Sequence, residues 1–452
     1  MKVLIFVHCF FPDHFYGTET YTLDIARNLR DLGHESIVVS AVFPGEAKKE
    51  SLVSYSEYHD IPVYTIDKNY IPHTRIKDTY YQPENMLVLE KLIIDISPDI
   101  IHITHLINHT VSLLEVVNKL GIPVVATFTD FYGFCFNNKL EASDGSLCKG
   151  PNIKRSNCLA CYLKAKSREV RASRLERYLG KYPISKISAW VVRNLINIPI
   201  IRKIKSFNFA VDIIDRPDVL SNYYSYYHAA ISPTNFLTKA YLNNGLSIPI
   251  YDIKFGVDLP RRNKKSRPIN APIRFGFIGQ IAPHKGVSVL VEAFSQLDQS
   301  KAELLLFGSQ DQDFDYFSKL KQMSKGCNIK FCGTFPKEDM PNIFDRLDFL
   351  VIPSLWYENS PLVLLNSLAS KTPAIVSDVE GMTEFINSGE NGFVFKMGDV
   401  HELKKTLNMI ILNPQYYLEM TKTTEYQRTT LSMVNEVIRV YEDAITLKTL
   451  HG

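Results

Sequence analysis

The chain has 452 residues, 45% hydrophobic and 22% charged, with 51 Lys and Arg against 48 Asp and Glu. This composition excludes a disordered or fibrous chain, and at roughly 150 residues per domain the length implies about two or three domains with cores that need no disulfide staples. The net charge of +3 conceals an asymmetry: residues 149–205 hold fifteen Lys and Arg against Glu169 and Glu176 alone, so this segment stands at +13 and the rest at −10. Such a block implies an anionic partner, either a nucleic acid or a lipid surface.

The chain enters an apolar run at once, Val3-Leu-Ile-Phe-Val7, with no basic leader or small-residue cleavage site, so a cytoplasmic, reducing setting is expected. Short Val/Ile-rich runs then alternate with helical patterns, the signature of βαβ units and parallel sheets, and the fold class is α/β. Strands are expected at 3–7, 36–40, 63–66, 100–103 and 124–128. The first helix carries Tyr21, Ile25, Leu29 and Leu32 at helical spacing, with Gly33 as a left-handed cap. His102 and His105, at the end of one strand, suit ligand contact or packing. Thr129 and Asp130, at the end of the next, suit ligand hydroxyls or a helix cap.

Cys135, Cys148, Cys158 and Cys161 follow, separated by twelve, nine and two residues. The closing C-x-x-C lets two thiolates grip one ion, so a structural Zn²⁺ is expected in this polar, Gly-rich loop. An iron–sulfur centre and free thiols are the alternatives. Cys9, Cys327 and Cys332 sit in apolar contexts and read as small buried hydrophobes.

Next come Lys164, Lys166, Arg168, Arg171, Arg174, Arg177 and Lys181, then an apolar stretch with Ile187, Trp190, Val191, Leu195, Ile198, Ile200 and Ile201. A cationic helix feeding an apolar one with a Trp reads as an interfacial membrane binder. Nucleic acid is disfavoured, because no aromatics interleave the cations. Arg193, Asn194, Asn197 and Pro199 interrupt the stretch, so no membrane span is expected.

The segment 258–272, with three Pro and no periodicity, reads as a linker. A second parallel sheet follows, with strands at 273–278, 303–307, 329–332, 349–352 and 374–376, and a helix near 431–445 closes the chain. Ligands of such sheets bind at the carboxyl ends of strands, where glycine turns and helix N-termini face an anion. Gly17 to Glu19 and Gly279 to Gly286 fit, and neither matches the dinucleotide G-x-G-x-x-G pattern. Lys285, just before a helix, is placed to meet a diphosphate.

The run Glu358-Asn-Ser-Pro-Leu-Val-Leu-Leu-Asn366, together with Gly17-Thr-Glu, Ser232-Pro-Thr, Phe255-Gly-Val-Asp258 and Gly279 to Gly286, resembles the retaining nucleotide-sugar glycosyltransferases of the GT-B fold, family four, also called glycosyl transferases group 1. The resemblance covers nearly the whole chain and implies two Rossmann-like parallel-sheet domains facing a cleft. It implies an acceptor-side domain over 1–258 with the Cys-rich and basic insertion at about 133–206, a linker at 259–272, a donor domain over 273–428, and a terminal helix over 429–452 returning to the first domain. It further implies a nucleotide-sugar donor, UDP- or GDP-linked, a lipid-linked or glycan acceptor, and no catalytic metal. Glu358, Lys285 and Asp130 would be catalytic. Gly17, Gly279, Gln280, Lys285, Gly308, Glu358, Asn359, Ser360, Pro361, Leu362 and Asn366 would bind the donor, and Thr129, Asp130, His102 and His105 would face the acceptor. Three positions depart from the family: Asn366 where a second Glu is usual, Gln280 where an Arg is common, and Thr129 where a His often precedes the Asp. They motivate a second reading, a catalytically weakened subunit that binds nucleotide sugar and docks a partner enzyme. A sugar-nucleotide epimerase fits less well, because a small soluble substrate gives no reason for the basic and apolar segment.

Overall fold

The structure, a computed structural model, describes residues 1–169, 172–259, 268 and 271–451. The chain divides into two compact units, Met1–Lys254 with Leu431–Gly452, and Phe255–Thr430. The first division thus falls at 254/255 instead of 258/259. Arg171 and ten of the fourteen residues of the linker expected at 259–272 lie outside the described residues.

The first unit is built on eight strands: β1 (Lys2–Phe6), β2 (Glu35–Val42), β3 (Val53–Tyr58), β4 (Ile61–Asp67), β5 (Ile100–Ile103), β6 (Val124–Thr127), β7 (Ala229–Ser232) and β8 (Ile250–Asp252). Their order is β3-β4-β2-β1-β5-β6-β7-β8, parallel throughout except for the β3–β4 hairpin. Val3 to Val7 are wholly buried, as a central strand covered on both faces requires. The hairpin is absent from the sequence reading: β3 is largely exposed and polar, and its turn is His59-Asp60, not a glycine pair. Both turn residues nevertheless take positive φ, 49° and 62°, the type I′ geometry that matches strand twist.

In the helix Gly17–Asp31, Tyr21, Ile25 and Leu29 are buried, whereas Leu32 is exposed. Leu32 is the cap, not a core position. Gly33 follows at φ 82°, and the amides of Gly33 and His34 close back on the carbonyls of Arg30 and Leu29, so the helix ends in a Schellman motif. The last helix, Thr430–His451, packs on this unit through Met433, Val434, Val437, Val440, Tyr441 and Ala444.

The second unit holds β9 (Ile273–Ile278), β10 (Ala302–Phe307), β11 (Ile329–Gly333), β12 (Phe349–Ile352), β13 (Ala374–Ser377) and β14 (Gly392–Phe395), all parallel, in the order β11-β10-β9-β12-β13-β14. Cys332 lies on the edge strand β11 and, like Cys327, is only partly buried; of the three scattered cysteines only Cys9 is in the core. In each sheet the chain winds outward from a central strand and then returns to that strand's other side. The crevices at these reversals, β1/β5 and β9/β12, are where open α/β sheets present ligand sites.

Candidate functional site

The β9/β12 reversal brings together two loops far apart in sequence. After β9 the chain makes a single tight turn, Pro283–Lys285, and Gly286 at φ 69° leads into the helix Val287–Ser295. A Cβ on Gly286 would lie 1.8 Å from the Pro353 carbonyl oxygen, so this turn rests directly on the end of β12. The Leu355 amide donates to the His284 carbonyl at 2.8 Å and pins the two loops. Gly308, after β10, approaches Gly279 as closely: a Cβ there would stand 2.2 Å from the Gly279 carbonyl.

This packing places Lys285 Nζ 2.7 Å from Glu358 Oε1. The same oxygen accepts from Ser354 Oγ at 2.6 Å and Trp356 Nε1 at 2.8 Å. Glu358 is 7% exposed. Burial pushes its carboxyl up, but the Lys285 charge and the three donors together outweigh burial and hold it below the ordinary value. The site therefore carries a buried carboxylate locked to an ammonium group, whose Nζ also lies over the Trp356 ring at 4.8 Å. The His284 ring packs on the other part of this group, 4.2 Å from Trp356.

Beyond Glu358 the chain turns through Ser360, at φ 54°, into the helix Leu362–Ala369 with Pro361 at its cap. Ser360 Oγ is buried and has no hydrogen-bond partner among the described residues. Asn366 lies half-buried on this helix, and Gln280 is half-buried after β9. Gly279, Gln280, Lys285, Gly308, Glu358 to Leu362 and Asn366 thus all belong to the second unit, while Gly17 opens the helix after β1 in the first. Neither Ser354 nor Trp356 is singled out in the sequence reading. The signal was their position in the turn after β12, two and four residues from the carboxylate.

The β1/β5 reversal gathers a second group. His105 Nε2 lies 2.9 Å from Asp130 Oδ2, and the Ile107 amide donates to His105 Nδ1 at 3.1 Å. An Nδ1 that accepts leaves the proton on Nε2, so a neutral His105 donates to Asp130. Asp130 Oδ1 also caps the following turn by accepting from the Tyr132 amide at 2.8 Å. Thr18 Oγ1 donates to Thr129 Oγ1 at 3.2 Å. The His8 ring stacks obliquely on His105 at 4.4 Å, and His8 Nε2 and Cys9 Sγ both approach the buried Glu19 carboxylate, at 3.2 and 3.0 Å. His8, just past β1, and Glu19, in the Gly17-Thr-Glu motif, were not singled out from sequence, although each stands where a strand or glycine turn ends at the crevice. A cavity of about 30 Å³ is lined by His105, Thr129, Asp130, Tyr132, Tyr224 and Tyr241.

His102 does not belong to this group. It is wholly buried, with Nε2 2.8 Å from Thr127 Oγ1 and Nδ1 2.7 Å from the Tyr441 hydroxyl. Burial lowers its pKa to about 3, so it is a neutral core residue that ties the last helix to the sheet, not an acceptor contact.

The four clustered cysteines converge on one small cavity of about 20 Å³. Their sulfurs are turned toward neighbouring amide and carbonyl groups, and no three of the four come within 4.8 Å of one another. Burial pushes the Cys161 thiol up to about 12 and raises Cys158 further.

The +13 segment is less bare than its sequence implies. Lys164 meets Glu141, Arg155 meets Asp218, Lys186 meets Asp144 and Arg202 meets Asp215, all with acids outside the segment. Lys181, Lys203 and Lys205 are exposed and carry no ion pair among the described residues. Around the helix Ile184–Leu195, Ile187, Trp190, Val191, Leu195, Ile198 and Ile200 are exposed, Trp190 at 60% and Ile200 at 77%. No helix among the described residues is long and apolar enough to cross a membrane.

Comparison with known proteins agrees with this architecture. Residues 15–143 match the family model of Glycosyltransferase Family 4, and residues 261–427 match that of Glycosyl transferases group 1. Anabaena HepE in complex with UDP and glucose superposes with a TM-score of 0.63 at 16% identity, covering 98% of this chain and 99% of that one. An uncharacterized glycosyltransferase of Methanocaldococcus jannaschii is 32% identical over 118 residues, 26% of this chain and 30% of that protein. The amylovoran biosynthesis glycosyltransferase AmsK of Erwinia amylovora is 24% identical over 162 residues, 34% and 40% of the two chains. The matched stretches span less than half of the length of these curated relatives. The chain belongs to the group 1 family of glycosyltransferases, with the two parallel-sheet domains of the GT-B fold.

Proposed function

We propose that this protein is a retaining glycosyltransferase that moves a sugar from a UDP- or GDP-linked donor to a lipid-linked or polysaccharide acceptor at the cytoplasmic membrane face. The observation that carries the reading is the buried Lys285–Glu358 pair at the β9/β12 reversal, beside the N-terminus of the helix Leu362–Ala369. Lys285 and the amides of that helix meet the diphosphate and stabilise the charge it gains as it leaves. Glu358, with Oε1 engaged, presents Oε2 to the sugar, and Ser360 Oγ supplies a further donor or acceptor. Asn366 bonds the ribose through a neutral oxygen in place of a carboxylate, forgoing about 1 kcal/mol of charge-assisted bonding. Asp130, oriented by His105, and Thr129 face the acceptor hydroxyl. The chemistry is positioning and charge stabilisation, with no protein nucleophile and no catalytic metal.

Thermal shift with a series of nucleotide sugars identifies base and sugar together, because a ligand at 100 times its dissociation constant stabilises by about 2.7 kcal/mol. The stabilising donor, radiolabelled and mixed with membrane extract, is expected to label a glycolipid or glycan. Binding without transfer would instead favour a catalytically weakened subunit, the reading that Asn366, Gln280 and Thr129 motivate.

The membrane part of the proposal rests on the exposed face around Trp190 and its flanking cations. Anionic lipid contributes about 1 kcal/mol per nearby Lys or Arg, and the apolar side chains add burial. Because several of the cations are already paired, charge is expected to supply less than the sequence sum implies. In vesicle flotation the protein should float with anionic vesicles at low salt. It should be released toward 1 M salt, where the Debye length falls to about 3 Å, and Trp190→Ala should weaken binding even at low salt. Indifference to anionic vesicles at low salt would shift the acceptor to a soluble glycan.

A further inference from the structure

We propose that Cys135, Cys148, Cys158 and Cys161 form a structural Zn²⁺ site that holds together the insertion between β6 and β7. The four residues come from three separate stretches: the loop after β6, the turn following the Glu141–Leu147 bridge, and the first turns of the helix Ser156–Ser167. All four nonetheless line the same cavity of about 20 Å³, walled by Phe136, Leu140 and Pro151.

About 10–15 Å³ holds one water-sized sphere, so the cavity of about 20 Å³ leaves room for a single ion among the four side chains. Tetrahedral Zn²⁺ takes four thiolates at about 2.3 Å, so binding draws the four sulfurs inward from their present amide and carbonyl partners. Each thiol gives up its proton to solvent as its sulfur binds, so one Zn²⁺ and four thiols yield a tetrathiolate of charge 2− and four protons.

The surroundings suit that charge. The buried Arg216 donates through Nη1 to the Cys135 carbonyl at 3.0 Å. The Gly150 amide, at 3.4 Å, and Asn157 Nδ2, at 3.7 Å, both donate to Cys148 Sγ, the outer bonds that orient a metal-binding sulfur. The insertion also needs a staple. Its apolar cluster consists of Cys158, Leu159, Ala160, Ala189, Ile196, Ala210, Ile213 and Ile214, half of them Ala or Cys, with Phe136, Tyr162, Phe207 and Phe209 only partly buried against it, while Trp190, Ile198 and Ile200 face outward. A metal bound among the four cysteines would add folding free energy to this cluster.

The test uses the full chain, purified without chelator from medium supplied with zinc and iron. About one zinc per chain is expected, with four sulfurs at about 2.3 Å by X-ray absorption. Removing the metal should expose four additional thiols to a thiol reagent and make residues 133–207 sensitive to protease. Cys158→Ser should lower zinc content at least tenfold, while Cys327→Ser and Cys332→Ser retain it. Should Cys158→Ser fail to fold, the thiol count of the unaltered protein with and without Zn²⁺ decides. An unchanged thiol count, zinc retained by Cys158→Ser, stoichiometric iron, or disulfides among the four cysteines would overturn the proposal.

Discussion

Glu358→Gln is expected to lower turnover by about two to three orders of magnitude, the usual loss when a preorganised group that stabilises the transition state is removed. Glutamine keeps the shape and an oxygen that can accept from Ser354 and Trp356, so the loop should hold. It removes the charge facing Lys285, whose ammonium group is then left in a mostly buried site. Two consequences separate chemistry from folding. The double variant Glu358→Gln with Lys285→Met removes the unpaired cation, so thermal stability should recover while transfer does not. The pair also sets a pH dependence. The folded Glu358 carboxyl lies below its ordinary value of 4.5, so its contribution is complete above that value and is lost as pH falls through the folded pKa. Melting temperatures of the parent and of Glu358→Gln should therefore differ at pH 7 and converge in stronger acid. Transfer by Glu358→Gln at the parental rate with saturating donor would remove Glu358 from the reaction.

Gly381→Ala should damage the same site from behind. Gly381 sits at φ 86°, and a Cβ there would lie 1.6 Å from the Glu358 carbonyl oxygen and 3.5 Å from the Asn359 Cα. No side chain can move to relieve this contact, because both atoms are backbone. Gly389 is the control, since it has nearly the same φ, 88°, with nothing within 4 Å of an added Cβ. Both alanine variants bear the left-handed backbone cost of about 1–2 kcal/mol. Gly381→Ala alone must also displace the 358–360 backbone, which should add about 1–3 kcal/mol in urea unfolding. Turnover should fall by up to about a hundredfold, because the carboxylate is carried on the displaced peptide. Equal stability and activity of the two variants would show that the approach of residue 381 to Glu358 is not tight in solution.

Much of this fold is legible residue by residue. Runs such as Val3–Val7 and Phe349–Ile352 are buried on both faces, and a strand of that kind must be continuously apolar whatever its neighbours are. The run from Glu358 to Asn366 is likewise local, a turn and one helix, so its composition alone marks it. The hairpin β3–β4 left no such trace, because an exposed edge strand tolerates polar residues and its turn obtains positive φ from His and Asp.

Contacts across the sheets lie beyond reading the sequence. Lys285 and Glu358 are 73 residues apart, and they meet because β12 returns to the free side of β9, which makes the loops after these two strands neighbours. A one-dimensional pattern shows that both strands exist but not which edge each one takes. His102 has the same history: its place at a strand end suggested a ligand contact, and packing of Tyr441 from the far end of the chain made it a core residue instead. Charge behaves likewise. Composition determined that residues 149–205 carry fifteen cations, while folding decided that Asp144, Asp215, Asp218 and Glu141 would meet four of them, since electrostatic energy depends on distances that a sum over the sequence does not contain.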